Sequence, residues 1–466
     1  MQTLKVEGTP SEKQPEFQDP YVIADRNIQE PPVSLKGIIR HLGPGFVLSA
    51  AIVGSGELIA TTALGAQAGF VTFWVIILSC LVKVALQLEW GKHVIHSGET
   101  SMTSLNKLPG FKIGQANWSI WLWLFIQLFK LLQVGGIVGG VAITLNMVAP
   151  FISIPVWAIL ITLITALLVY KGYYKVVEQF SLVMMVFFTV FTLASVFFLQ
   201  YTPYAISWSD IQEGLQFKLP PSTVAVAIAA FGITGVGSDE IMYYNYWCIE
   251  KGYAGFTGPR QNNPEWEKRA RGWIRIMYYD AFLAMVIYTV VTAAFYILGA
   301  AVLHNQGLVP EGYAMVKVLS GMYTKTLGPW AETIFMISAF MVLYSTMFTA
   351  AASFTRIFSD AFGQLGWISF TDYVTRKKAI AVLAWVFPIS WCLLFLFIKL
   401  PMSMILLGGF MTSILLLLVV YAAIYFRYRR LPSNLKPTIW YDAAFWLSCI
   451  TILAIGVYGI VQAVKL

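Results

Sequence analysis

Long apolar runs separated by short polar stretches fill the chain from about residue 41 onward. At about 20 apolar residues per bilayer crossing, they predict eleven transmembrane helices. These lie near 45–69, 70–91, 117–148, 153–171, 178–201, 222–249, 276–303, 328–358, 379–399, 402–426 and 441–463. Several runs exceed the minimum, which predicts tilt or interruption. Residues 1–40 are polar and contain prolines, so they read as a flexible cytosolic tail with no cleavable signal peptide. The polar stretch 251–275 carries the turn signals Gly258-Pro259 and Asn263-Pro264 and predicts a cytosolic loop with a short helix.

Two runs share an internal pattern. Gly54-Ser55-Gly56-Glu57-Leu58-Ile59 lies in the first, and Gly237-Ser238-Asp239-Glu240-Ile241-Met242 lies in the sixth. Five spans separate them, so the segments run in opposite directions through the membrane. That predicts an inverted 5+5 repeat whose first helices are discontinuous. The first repeat covers about 41–201, the second about 222–427, and an extra helix covers about 441–463, all in one transmembrane domain over 41–466. Glycine lets the backbone leave the helix, and serine can cap the half-helix that restarts. Unwound backbone at membrane depth is tolerated only where it is buried in protein or lines a cavity. Each carboxylate then sits at the positive end of a half-helix dipole. A single such segment reads most simply as a kink with an acidic cap. Two matched segments, each with acid at mid-membrane, read as a binding site, because ionisable groups there are functional by default. The candidate binding residues are Gly54, Ser55, Glu57, Gly235, Ser238, Asp239 and Glu240.

Composition agrees with a membrane environment. Apolar residues are 58% of the chain and charged residues 12%, about half the usual share for a soluble protein, roughly 25%. The 16 Trp and 23 Tyr suit interfacial belts. The net charge of +8 reflects insertion rather than a nucleic-acid partner. With the N-terminus inside, most of the 31 Lys and Arg fall on the cytosolic side, in the tail and in the loops around Lys92–Lys112, Lys171, Arg260–Arg275, Arg376–Lys378 and Arg427–Lys436. Only Lys218, Lys317, Lys325, Lys399 and Lys465 fall outside, and Lys83 and Lys130 lie within spans. This asymmetry predicts an inside N-terminus and an outside C-terminus, in the plasma membrane. Cys80, Cys248, Cys392 and Cys449 are far apart and predict neither a disulfide framework nor a thiolate metal site. No nucleophile–base constellation and no phosphate loop is present, so no enzymatic activity and no resident cofactor are expected.

From about residue 41 onward the sequence resembles the Nramp family of proton-coupled divalent-metal transporters. Gly43-Pro44-Gly45-Phe46 opens the first span as in that family, and Leu64-Gly65-Ala66-Gln67-Ala68-Gly69-Phe70 resembles the end of its helix 1. Leu86-Gln87 through Ser97-Gly98 is similar to its helix 2 exit, and Tyr173 to Glu178 also matches. The resemblance implies the LeuT-like fold, with alternating access around helices 1 and 6. The departures are specific. The family's Asp-Pro-Gly-Asn motif is Gly54-Ser55-Gly56-Glu57 here. Its Met-Pro-His motif aligns without gaps on Asp239, Glu240 and Ile241. Aligned through the internal repeat, Met falls on Gly237, and Glu240 falls on the Asn after His. The Asp and Glu of its helix 3 proton route match Lys130 and Gln133. The chain reads as a divergent branch.

Without the soft thioether, carboxylates and carbonyls favour hard ions such as Mg²⁺, Ca²⁺ or Mn²⁺. Glu57 and Asp239 are the candidate metal ligands, with Glu240 available. Adjacent Asp239 and Glu240 point about 100° apart, so at most one is expected to face the cavity with Glu57. Clustered carboxylates titrate as a coupled set and offer a proton route. Gln127, Lys130 and Gln133 share one helical face. Three readings of Lys130 stand: an ion pair with Glu57 or Asp239, a titrating or fixed charge that replaces a coupling cation, or a contact to an anionic substrate. Lys83 is long enough to snorkel or pair internally and receives no role. Glu89, Glu178 and Asp280 read as solvated or hinge-pairing residues, and His93 and His96 as an interfacial face. Two functions follow. One is secondary transport of a divalent metal, for which the resemblance implies symport with protons; the other is transport of an organic cation or anion on the same fold. The partners expected are the lipid bilayer and the transported ion or solute.

Overall fold

The computed structural model describes residues 19–54, 56–171, 174–311 and 314–464. They form an almost entirely helical bundle. Its elements run α1 (Leu35–His41), α2 (Pro44–Ile52), α3 (Thr62–Ala68), α4 (Phe73–Ser97) and α5 (Ser101–Asn106). A small hairpin, β1 (Lys112–Ile113) and β2 (Ala116–Asn117), pairs antiparallel with Lys112 opposite Asn117. Then come α6 (Trp118–Val148), α7 (Ile154–Lys171), α8 (Tyr174–Leu199), α9 (Trp208–Gly214), α10 (Val224–Ile233), α11 (Ser238–Lys251), α12 (Tyr253–Thr257) and α13 (Pro264–Leu298). The chain ends with α14 (Met315–Leu327), α15 (Ala331–Gln364), α16 (Tyr373–Ile398), α17 (Pro401–Tyr425) and α18 (Ile439–Val464).

The predicted apolar runs lie on helical segments, with the first and sixth runs interrupted. Among the described residues, eight helical stretches are long and apolar enough to cross a membrane, and the shorter apolar helices Ile154–Tyr170 and Val186–Leu199 accompany them. The boundaries differ where helices outrun the apolar run. α13 starts at Pro264 rather than 276, because Asn263 accepts a hydrogen bond from Trp266 N and caps a polar first turn. The expected loop 251–275 therefore shrinks to the five-residue α12 and a short link. Hydropathy marks the lipid-facing stretch of a helix and not its ends.

Small residues let the long helices approach closely, as in membrane bundles where packing replaces the hydrophobic drive. α6 lies along α17, and a Cβ on Gly136 would come within 2.6 Å of Pro401 O. α10 crosses α17 backbone to backbone, and a methyl on Gly232 would overlap the Gly409 carbonyl. These contacts bring the middle of α10 and α11 against α6 and α17, where the polar residues of the spans collect.

Residues 1–18 of the tail lie outside the described residues; from Asp19 the tail packs on the bundle. Asp19 pairs with Arg376 at 2.6 Å, and Tyr21 Oη donates to Glu250 at 2.9 Å. Gln29 N donates to Phe256 O, and Trp273 Nε1 donates to Gln29 O, each at 3.0 Å. The flexible lead-in expected over 1–40 is, over this part, a strap tied to α11, α12, α13 and α16.

Candidate functional site

The first span is broken as its glycines predict. α2 ends at Ile52, Val53 leaves the helix at φ −69° and ψ 71°, and the chain resumes as a π-helical turn over Gly56–Thr61. Single π turns are common at functional sites. Gly54 N donates to Glu57 Oε2 at the long distance of 3.5 Å, the reach-back of a capping box. Ser55 lies outside the described residues. In the sixth span α10 ends at Ile233. Gly235 takes φ +62°, a conformation suited to glycine, and α11 restarts at Ser238. The serine cap expected there is not what forms. Gly237 occupies the cap position, and the Ser238 hydroxyl is buried without a hydrogen-bond partner.

The two breaks touch. A Cβ on Gly56 would come within 3.0 Å of Ile233 O. Glu57 is fully buried and binds the second break directly, with Oε1 accepting from Gly235 N at 3.0 Å and from Thr292 Oγ1 at 3.3 Å. Its carboxylate satisfies backbone N–H groups that unwinding has freed.

Asp239 and Glu240 occupy a different place. Both line a cavity of about 40 Å³ together with Leu48, Lys130, Gln133, Tyr243, Trp247, Thr346, Thr349 and Ser353. One water needs roughly 10–15 Å³ on this measure, so the space suits a dehydrated ion or a few waters and not a large solute. Lys130 Nζ lies 3.1 Å from Asp239 Oδ2 and donates to Gln133 Oε1 at 2.7 Å and to Thr412 Oγ1 at 2.8 Å. Gln127 Nε2 donates to Asp239 Oδ1 at 2.8 Å. The polar stripe on α6 thus converges on one carboxylate. Asp239 and Glu240 both face the cavity although only one was expected to do so, and Glu57 is absent from its lining. Their position in the first turn of α11 lets neighbouring side chains splay around one helix end. Among the described residues, no three of His, Cys, Asp and Glu cluster as a metal centre.

Below the cavity, Trp247 is covered by the Arg356 guanidinium at 5.2 Å, Arg356 pairs with Glu250 at 2.5 Å, and Glu250 accepts from Tyr21. A column of side chains thereby links the cavity to the N-terminal strap.

Several residues read as bland or given no role take structural parts. Asp280 is buried and accepts from Gly43 N at 2.8 Å, Gly45 N at 2.5 Å and Tyr244 Oη at 3.0 Å, holding the start of α2. The solvated reading fails because α13 begins earlier than hydropathy suggested. Glu89 is buried between Lys92 at 2.5 Å and Arg427 at 3.1 Å. His93 stacks on Phe426 at 4.1 Å and lies 3.2 Å from Glu99. Glu178 has no described side chain. Thr292 and Thr412 were missed. Their signal was a hydroxyl in an apolar run, which at membrane depth faces the bundle interior.

The profile of the family described as natural resistance-associated macrophage protein-like, Nramp, matches residues 45–462. The divalent metal cation transporter MntH of Mycobacterium leprae is 25% identical over 319 residues, 66% of this chain and 67% of that protein. The MntH of Caldanaerobacter subterraneus is 24% identical over 321 residues, 66% and 69% of the two chains. A crystal structure of the Eremococcus coleocola manganese transporter superposes with a TM-score of 0.65 at 14% identity, covering 95% of this chain and 91% of that one. At that identity the likeness speaks for the fold, which is the LeuT-like one of secondary transporters. With the profile matched over most of its length, this multi-pass membrane protein belongs to the Nramp family.

Proposed function

We propose that the chain is a secondary transporter that moves a hard divalent metal ion, such as Mg²⁺ or Mn²⁺, through the cavity at the restart of α11. The observation that carries this is the meeting of Asp239, Glu240, Lys130 and the hydroxyls of Thr346, Thr349, Ser353 and Tyr243 around a space sized for an ion. Asp239 and Glu240 supply hard oxygen ligands, with Thr346, Thr349 and Ser353 beside them, and no thioether favours a soft metal. Family membership and the names of the MntH relatives support metal as the cargo.

Lys130 gives this site its exchange chemistry. With Lys130 protonated and both carboxylates ionised, one negative charge is uncompensated. An arriving dication competes with the ammonium for Asp239, and Gln133 and Thr412, which accept from that ammonium, give it partners when it is displaced. Lys130 and Gln133 are therefore the pair through which proton coupling, as the family resemblance implies it, would act. Glu57 keeps the two breaks joined while this happens. The basic-residue asymmetry supports eleven crossings with the N-terminus in the cytosol, the C-terminus outside, and the strap on the cytosolic face of the plasma membrane.

A second reading rests on the same ammonium. Lys130 faces the cavity and could hold an anionic group of a small solute. Isothermal titration calorimetry with Mg²⁺, Mn²⁺ and Ca²⁺ separates the two. The metal reading expects saturable heat in the wild type and its loss in well-folded Glu240→Gln. No heat with any of the three ions, in folded wild-type protein, would discard it in favour of the second reading.

A further inference from the structure

Lys83 sits ten residues into α4, about 15 Å along the helix. That depth leaves no route for its ammonium to reach an interface, and its side chain is fully buried. Its partners are not carboxylates. Nζ donates to Thr234 O at 2.5 Å, to Phe231 O at 2.7 Å and, more weakly, to Gly232 O at 3.4 Å. The Phe231 ring centroid lies 5.2 Å away. Among the described residues, no Asp or Glu lies within ion-pair distance of it.

These oxygens are the last carbonyls of α10 and its cap, left without intrahelical partners where the helix breaks. They also mark the negative end of the half-helix dipole. Ser79, one turn earlier on the same face of α4, donates to Phe231 O at 2.9 Å and to Thr234 O at 3.0 Å. An ammonium has three donors and no acceptor, and the crown offers it three oxygens. Carbonyl rings of this kind replace the hydration shell of monovalent cations. A buried, unpaired ammonium is strongly disfavoured in hydrocarbon; here the crown takes the place of its water.

We propose that the carbonyl crown of Phe231, Gly232 and Thr234 is a monovalent-cation site whose occupant is tethered: the Lys83 ammonium stands where a free cation would otherwise bind. The tether holds the end of α10 on α4 and makes the break independent of dissolved Na⁺ or K⁺. This is separate from the Asp239 cavity, whose lining does not include Lys83, and holds whatever ion that cavity takes.

The test is thermal melting of purified wild type, Lys83→Ala and Lys83→Met at constant ionic strength. The salts are choline, sodium, potassium, ammonium and methylammonium chlorides. The wild type is expected to melt at the same temperature in all five. Lys83→Ala, which opens the crown, is expected to melt several degrees lower in choline and to recover saturably with at least one small cation. Lys83→Met fills the space with an apolar chain and is expected to show no recovery. Cation-specific stabilisation of the wild type would overturn the proposal. So would Lys83→Ala that melts alike in every salt, or that fails to fold even when prepared in ammonium or potassium.

Discussion

The two helix breaks carry the same sequence pattern and are put to different uses. In the first, Glu57 turns inward and spends its oxygens on Gly54 N, Gly235 N and Thr292. In the second, Glu240 at the matching position lines a cavity beside Asp239 and Lys130. One glutamate joins the two breaks and the other faces a cavity. The cause is local. The first break restarts as a π turn packed on Ile233, whereas the second restarts as an α-helix whose first turn points at α6 and α15. Pattern symmetry fixes where a chain can break, and the packing around each break decides what its charge does.

The largest effect that would sharpen this contrast is at Asp239. Removing one partner of a buried ion pair leaves the other uncompensated and costs about 3–5 kcal/mol. Asp239→Asn should therefore lower the melting point strongly, and adding Lys130→Met should restore part of the loss. A double variant less stable than either single would break the pairing account.

Next comes the comparison of glutamates. Glu57→Ala strips the Gly235 amide of its acceptor and should cost about 1–3 kcal/mol for that buried group, while Glu240→Gln should melt close to wild type. Equal losses in the two would show that both acids serve the scaffold.

Gly235→Ala tests the second break alone. The left-handed backbone costs an L-residue about 1–2 kcal/mol, and the new methyl would sit 3.1 Å from Cys80 Cα. The expected drop in melting temperature should be indifferent to divalent ions.

The smallest effect is a control outside the spans. Burial tends to raise the Glu99 carboxyl, but hydrogen bonds from His93 and Lys107, with the charges of His93 and Arg430, hold it down at about 2. A depressed carboxylate stabilises the fold above its unfolded value of about 4.3, and that contribution is lost as pH falls toward 2. Glu99→Gln should flatten this part of the acid limb of a melting curve and leave ion binding untouched.

Much of the architecture was legible because lipid imposes a simple rule on long apolar runs. The breaks at Gly54 and Gly235–Gly237 were legible for a second reason: glycine, serine and acid at mid-membrane have few other uses. Partnerships were harder. Lys83 looked like a side chain that could snorkel or pair internally, and the sequence left the two open because its acceptors are backbone carbonyls that no residue type announces. Asp280 looked peripheral because α13 extends well past its apolar stretch. Glu57 looked like a metal ligand paired with Asp239, since repeat symmetry says nothing about a carboxylate turning onto its sister break's amide.

The central claim is that Glu240, and not its repeat-mate, meets the cargo. Uptake of Mn²⁺ or Mg²⁺ into proteoliposomes containing wild type or Glu240→Gln tests it most directly. The account predicts saturable uptake in the wild type and near-complete loss in a variant that still melts normally. Wild-type uptake by Glu240→Gln would contradict it.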